Sequence, residues 1–244
     1  MGSSSGARFR NVVDHVARSR PDIADPAAAI AAGDVLVDGV IVTNPRGLVR
    51  TDAPVVYRPP RPLRGQDKLR AALDRFSIDV TDRECLDLGA AAGGFTRVLL
   101  ERGARRVFAV DAGHGQLRGD LRSHARVVNL ERTNLGDLSA VPRCPIGVVT
   151  MDLSYLSVAQ AVPQLEPLTF ADDADLVALV KPMFELGLEA PPEDDRSLRR
   201  ALDLAAAGVD RGPWRVAGTM PSPVTGSRGA REWLLHARRA DPHG

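Results

Sequence analysis

The stretch that decides the fold runs Cys85-Leu86-Asp87-Leu88-Gly89-Ala90-Ala91-Ala92-Gly93-Gly94-Phe95-Thr96. Cys85 to Leu88 reads as a short apolar strand that enters a glycine-rich turn, and Phe95 to Arg102 reads as a helix. Gly89 can turn sharply because it has no Cβ, and Gly93-Gly94 lets a ligand approach the backbone where the helix begins. The spacing is not the phosphate-binding G-x-G-x-x-G, and no Gly-Lys-Ser/Thr follows it. Outward from this turn, strands and helices alternate. Strands are expected at Arg106 to Val110, Arg126 to Leu130, Ile146 to Met151 and Leu176 to Val180. Helices are expected at Asp67 to Ile78, Ser157 to Leu165 and Arg196 to Val209. Arg215 to Met220 and Glu232 to Ala237 read as a final antiparallel pair. This alternation predicts an α/β domain over residues 64–240, a mostly parallel sheet with helices on both faces.

In open α/β sheets, ligands bind at the carboxyl ends of the strands. Those ends carry Asp87, Asp111, Glu131, Asp152 and Lys181. Burial at the end of an apolar strand makes a charge costly unless it is paired or used. Five on one rim therefore mark a functional edge.

The amino-terminal part reads differently. Val12, Val13 and Val16 mark one face of a short helix, and Ala27 to Ala32 form a second. Asp34 to Asp38 and Val40 to Val42 alternate on either side of Asp38-Gly39, a hairpin signal. Ala53 to Tyr57 is a further candidate strand. Pro59-Pro60-Arg61-Pro62 reads as a stiff linker, so residues 8–58 form a small α+β domain and residues 59–63 join it to the rest.

Composition narrows the function classes. The chain has 244 residues, 44% apolar and 26% charged, with a net charge of +1. That excludes a wholly disordered chain or one that coats a polyanion along its length. No apolar run approaches the roughly 18 residues that a membrane span needs. Met1 to Gly6 is Ser/Gly-rich and no apolar run follows, so it reads as a floppy start rather than a signal peptide. Two cysteines, Cys85 and Cys144, sit beside expected strands and read as core thiols in a reducing cytoplasm. The basic residues are 30 arginines and only two lysines, Lys68 and Lys181. An arginine cannot give up its proton at ordinary pH and is a planar fork rather than a point charge. Both lysines are therefore candidates for chemistry. The five histidines (His15, His114, His124, His236, His243) show no ligand spacing and read as structural or surface groups, and no metal site is expected.

The D-x-G-x-x-x-G-G-F-T turn resembles motif I of class I S-adenosylmethionine methyltransferases. The blocks Leu86 to Thr96, Glu101 to Ala104, Ala109 to Asp111, Gly115 to Leu117, Leu130 to Asn134, Asp152 to Ser157 and Val180 to Glu185 resemble the TlyA family in order and spacing. That family comprises FtsJ-like ribosomal RNA 2′-O-methyltransferases with an amino-terminal S4 RNA-binding domain. The resemblance covers residues 63–237 well, and residues 8–58 more loosely through Ala32 to Val42. It implies a class I, Rossmann-like sheet preceded by an S4-like domain, a cytoplasmic enzyme, and RNA as partner. It also implies S-adenosylmethionine as cofactor, held by Asp87, Gly89, Ala90, Gly93, Gly94, Phe95, Asp111, Glu131, Asn134 and Asp152. An acid in the position of Asp111 hydrogen-bonds the cofactor ribose.

FtsJ-like enzymes use a Lys-Asp-Lys-Glu tetrad, which the resemblance carries onto Lys68, Asp152, Lys181 and Glu232. The two lysine positions take the chain's only two lysines. A ribose hydroxyl is a poor nucleophile and must be held about 3 Å from the methyl carbon and relieved of its proton. Lys181 is expected to orient or deprotonate it, Asp152 and Glu232 to orient the lysines and the ribose, and Lys68 to stand on the substrate side.

The chain departs from the family in four places, one being the S4-like part, which keeps Arg8, Arg10, Arg18 and Arg20 but lacks the usual basic first-helix pattern in full. Leu63 to Lys68 keeps only Arg, one Gly and Lys of the usual Ser-Arg-Gly-Gly-x-Lys. Ala230 replaces an Asn before Glu232. Leu186 to Asp195 is short, acidic and proline-containing where a basic Gly-Lys-Gly-Gly loop is usual. The last change leaves open a small-molecule O-methyltransferase, or a non-catalytic RNA-binding homologue, beside ribosomal RNA methylation. Residues 8–70 carry ten arginines and one lysine against seven acids, a balance of +4 that suits phosphate contacts.

Overall fold

The computed structural model describes residues 8–58 and 63–240. The expected floppy start, the Pro59–Pro62 linker and His243 lie outside the described residues. Along the chain the elements are β1 (Phe9–Asn11), α1 (Val12–Ser19), α2 (Pro26–Ala31), β2 (Val35–Val37), β3 (Val40–Ile41), β4 (Leu48–Arg50), β5 (Val55–Tyr57), α3 (Arg64–Phe76), β6 (Glu84–Leu88), α4 (Gly94–Glu101), β7 (Arg106–Asp111) and α5 (Gly119–Arg122). There follow β8 (Val127–Glu131), β9 (Ile146–Met151), α6 (Val158–Ala161), β10 (Phe170–Val180), α7 (Pro182–Glu185), α8 (Asp195–Asp210), β11 (Trp214–Pro221) and β12 (Trp233–Arg239).

The chain divides into two compact units, the first comprising the residues up to 62 together with 118–124. In this unit β3, β2 and β5 form an antiparallel sheet, and β1 pairs with β4. The Asp38-Gly39 turn has φ of 54° and 78°, both positive, as the tightest hairpin turns require. Asn11 and Asp25 cap α1 and α2 by accepting the amide protons of Val13 and Ala28. Val12, Val16, Ile30 and Val35 close the core, and buried His15 donates to the Ala53 carbonyl at 2.8 Å. The sequence pattern misses β1 and β4, which are three residues each. It also places residues 118–124 in the second domain, whereas they group with the first unit: Arg118 pairs with Asp34 at 2.8 Å, and Gly119 lies against the Ala31 carbonyl.

The second unit holds a seven-stranded sheet in the order β11-β12-β10-β9-β6-β7-β8. From β10 to β8 all neighbours run parallel, while β12 lies antiparallel between β10 and β11. The expected α/β alternation is thus present, and the final antiparallel pair builds out one edge. The expected 157–165 helix is a short α6, capped by Ser157, followed by a 3₁₀ turn at Val162–Leu165 that contains Pro163, a residue with no amide proton to donate. β10 begins six residues earlier than the apolar run suggests, with a break in register between Phe170 and Asp175. Cys85 is fully buried, and burial pushes its thiol up to about 12. Among the described residues, no helix is long and apolar enough to cross a membrane.

One charged cluster lies inside this sheet. Asp175 bonds His236 at 2.8 Å and Arg83 at 2.9 Å, and Phe76 stacks on His236. Burial pushes the Asp175 carboxyl up, but the His236 and Arg83 hydrogen bonds outweigh it and hold it below the ordinary Asp value. A depressed folded-state value adds stability that is present above the unfolded value and is lost as pH falls through the folded one. Asp175→Asn should therefore destabilise the protein at pH 7 by about 3 kcal/mol. It should also remove part of the acid limb of the stability curve, measured by denaturant unfolding from neutral to acidic pH.

Candidate active site

The turn after β6 is pinned from both sides. Gly89 and Ala90 donate their amide protons to the Val110 carbonyl on β7, at 2.9 and 3.1 Å. Across from them, the Asp152 amide donates to the Leu88 carbonyl at 2.9 Å. Gly89 has φ of +81°, and a Cβ there would collide with the Asp152 carbonyl, so only glycine fits. Gly93, at φ +92°, opens α4. Gly94 packs on Gly65 of α3, and Phe95 is buried against the same glycine.

A cavity of about 190 Å³ opens at these strand ends. Of the expected cofactor residues, Gly89, Asp111 and Asp152 line it, and Gln116, Thr133 and Tyr155 join them. Asp111 accepts the amide protons of Ala91 and Gly113 at 2.8 and 2.7 Å. Ala90, Gly93, Gly94 and Phe95 shape the turn without lining the cavity. Glu131 turns to the 114–117 loop, accepting from the Gln116 and Leu117 amides and lying 3.3 Å from His114. Asn134 sits between the wall residues Thr133 and Leu135 and does not line the cavity itself.

Asp87 departs most from expectation. The resemblance hands it to the cofactor, but its side chain is wholly buried behind the turn, where Thr96 donates to it at 2.6 Å and Thr150 at 2.9 Å. It braces α4 against β6 and β9.

All four tetrad residues come together in two ion pairs. Lys68, on α3, meets Glu232, just ahead of β12, at 2.5 Å, with both side chains buried. Lys181, at the end of β10, meets Asp152, at the end of β9, at 2.6 Å. Lys181 also donates to the Ser154 hydroxyl at 3.2 Å. A second cavity, of about 560 Å³, is lined by Lys68, Lys181, Glu232, Ser154, Phe184 and Arg228 among others. Ser154 borders both cavities, so they adjoin at the Asp152–Lys181 pair. Gly226 lies against the Glu232 carboxylate, where a Cβ would collide with it.

Sequence reasoning missed Ser154, Tyr155 and Phe184 as individuals, although they sit inside the quoted 152–157 and 180–185 blocks. Arg228 carried no signal in a chain so rich in arginine. Glu185 accepts the Val158 amide at 2.6 Å and so ties the end of α7 to the start of α6. Burial raises its carboxyl. Among the described residues, no group of three or more His, Cys, Asp or Glu is placed to hold a metal ion.

Burial pushes the Asp87 carboxyl up to about 6, against the pull of the Thr96 and Thr150 hydroxyls. Because the folded value exceeds the unfolded one, the ionised form costs stability. That cost is absent below the ordinary Asp value, grows as pH rises toward about 6, and is constant beyond. Asp87→Asn is expected to be more stable than the parent at pH 7 by up to about 3 kcal/mol. Its unfolding free energy should stay flat between about pH 4 and 6 where that of the parent falls, as denaturant titrations at the two ends would show.

Comparison with known proteins agrees with this geometry. The FtsJ-like methyltransferase family model matches residues 63–239. A Mycobacterium tuberculosis protein named 16S/23S rRNA (cytidine-2′-O)-methyltransferase TlyA is 40% identical over 235 residues, covering 91% of this chain and 85% of its own. A Campylobacter jejuni 23S rRNA (cytidine-2′-O)-methyltransferase TlyA is 27% identical over 176 residues, covering 69% of this chain and 67% of its own. A solved Streptococcus thermophilus structure, described as a hemolysin, superposes with a TM-score of 0.69 at 28% identity. It covers 96% of this chain and 89% of its own. With a buried Lys–Glu pair and a Lys–Asp pair at the mouth of a glycine-turn cleft, the chain belongs to the FtsJ-like methyltransferases, and among them to the TlyA family.

Proposed function

We propose that the protein transfers a methyl group from S-adenosylmethionine to a ribose 2′-hydroxyl of ribosomal RNA, in the cytoplasm. One observation carries this reading: the two cavities adjoin at Asp152–Lys181, and both of the chain's lysines stand there in ion pairs with carboxylates. The named functions of the M. tuberculosis and C. jejuni relatives support it.

The residues present fit the cofactor. A carboxylate offers about four lone-pair positions. Asp111 uses two of them on the Ala91 and Gly113 amides, leaving two for a pair of ribose hydroxyls. Val110, Leu135 and Leu153 offer an apolar bed for a flat ring. When bound, S-adenosylmethionine supplies an electrophilic methyl group on a sulfonium.

Lys181 does the positioning work on the hydroxyl. The Ser154 hydroxyl accepts one of its N–H groups and the Asp152 carboxylate lies 2.6 Å away as its counter-ion, so the amine is held with a direction open to the substrate oxygen. In that place Lys181 orients the hydroxyl, and in its neutral form its lone pair receives the proton, giving the ammonium that pairs with Asp152. Lys68 and Glu232 neutralise each other in a dry setting and form a rigid wall for the ribose on the substrate side.

Residues 8–58 are assigned to RNA binding as an S4-like domain. Phe9 is exposed, as are Arg8, Arg46 and Arg58 of the same unit, and an exposed ring and cations suit stacking on a base and phosphate contacts. One feature favours a small-molecule acceptor instead: Leu186 to Asp195 contains four acids and no basic residue. Tritiated-methyl transfer onto purified ribosomal subunits, followed by nuclease mapping, separates the two readings. Label on a ribose supports the proposal, and none on either subunit refutes it.

Two substitutions test the assigned roles. Lys181→Ala should lower the methyl-transfer rate by roughly 10²–10⁴. Lys181→Arg should be nearly as slow, because a guanidinium neither accepts the proton nor fits a point-charge site. Asp111→Ala should weaken S-adenosylmethionine binding by about 1.5–3 kcal/mol in calorimetry, the worth of hydrogen bonds to a charged group.

A further inference from the structure

We infer that Arg228 grips a backbone phosphate of the RNA strand at the mouth of the second cavity, an inference that rests on the RNA reading above. The argument begins with charge. Lys68 and Glu232 cancel, and so do Lys181 and Asp152, each pair in contact. The tetrad therefore presents no net charge to a polyanion. Among the described residues, the remaining ionisable side chain lining the cavity is Arg228, which is exposed, and it alone makes that wall positive.

Among the described residues, two neighbouring groups offer no substitute. Leu186 to Asp195, which supplies Pro191 to the cavity wall, carries Glu189, Glu193, Asp194 and Asp195 and no basic residue. Arg231 is engaged with Asp195 at 2.9 Å and lies over the Trp233 ring.

The backbone adds an independent observation. Arg228 has φ 56° and ψ 27°, the left-handed conformation that disfavours any residue with a Cβ. Its neighbour Gly229 also has positive φ, at +76°, and Gly226 is held against Glu232. In a turn already built on glycines, position 228 is where glycine would sit most easily. The chain instead places a long cation there, beside the residues that hold the ribose. A guanidinium meets two phosphate oxygens at once in a planar fork, which an ammonium cannot do.

The backbone also provides the test. Arg228→Gly removes the charge while favouring the turn, so it should fold with stability equal to or above that of the parent. The readout is tritiated-methyl transfer by the full chain onto purified ribosomal subunits across a salt series, with calorimetry of S-adenosylmethionine binding alongside. Arg228→Gly should raise KM for the subunit roughly tenfold at low salt, with kcat falling far less and cofactor affinity unchanged. Loss of one phosphate contact should flatten the log–log salt slope by about 0.7–0.9, so the defect should shrink roughly threefold between about 50 and 200 mM salt. Arg228→Lys should lie between the two. An Arg228→Gly enzyme with the parental KM and salt slope overturns the inference while leaving the RNA reading standing. So does one that loses kcat with KM unchanged, because that places Arg228 in the chemistry. If the parent itself does not methylate ribosomal RNA, the reading and the inference fall together.

Discussion

Everything at the strand ends depends on how closely two pieces of backbone approach at Gly89. The turn after β6 must pass the Asp152 carbonyl with no room for a Cβ. It must also take hydrogen bonds from the turn to Val110 on one side and from Asp152 to Leu88 on the other. That double pinning ties β6 to β7 and β9 at their carboxyl ends. It sets the glycine-rich turn and the Asp152–Lys181 pair in one frame. A larger residue at 89 would push β9 away, and with it the carboxylate that holds Lys181. Asp87 serves the same frame from behind. Its two threonine hydrogen bonds clamp α4 to the sheet, and a carboxylate whose burial is costly is tolerated because the turn needs the brace.

Charge pairing is the second organising constraint. Lys68 and Glu232 are among the few buried charged side chains, and each would be prohibitively costly alone. They come from α3 and from the segment before β12, far apart in sequence, so the pair also fixes α3 against the start of β12. Asp175, His236 and Arg83 form a comparable knot on the same antiparallel strand pair, with Asp175 on β10 six residues before Lys181. β12 is thus held by polar contacts ahead of its first residue and at its middle, with apolar Leu234 and Leu235 between. An antiparallel strand inserted late in the chain needs such anchoring, because no helical crossover ties it to β10.

Much of this could be read from the chain because the signals are local. Asp87 to Thr96 announces its turn through glycine spacing, and the apolar runs announce β6 to β9 through their length. The scarcity of lysine pointed to Lys68 and Lys181 before any geometry, since arginine can replace lysine as a solvated charge but not as a proton acceptor. What stayed hidden depends on tertiary context. Three-residue strands such as β1 and β4 have too few residues to show a period. Residues 118–124 join the first unit through Arg118–Asp34, a pairing across more than eighty positions. Asp87 looked like a ligand because its motif position says so, and only burial reveals that both its oxygens are already engaged. Ser154 is one of many serines until Lys181 is seen to donate to it.

The burial of Cys85 has a practical side. Its thiol lies on β6, two residues from Asp87, with no exposed surface and a pKa pushed up to about 12, whereas Cys144, whose thiol burial also raises, is partly exposed. Only a thiolate reacts with alkylating reagents, so modification of Cys85 must wait until β6 comes free of its neighbours. The two thiols therefore act as a fast and a slow clock in one molecule. The difference between their labelling rates measures how often the strand that carries the glycine-rich turn opens, with no probe added to the chain.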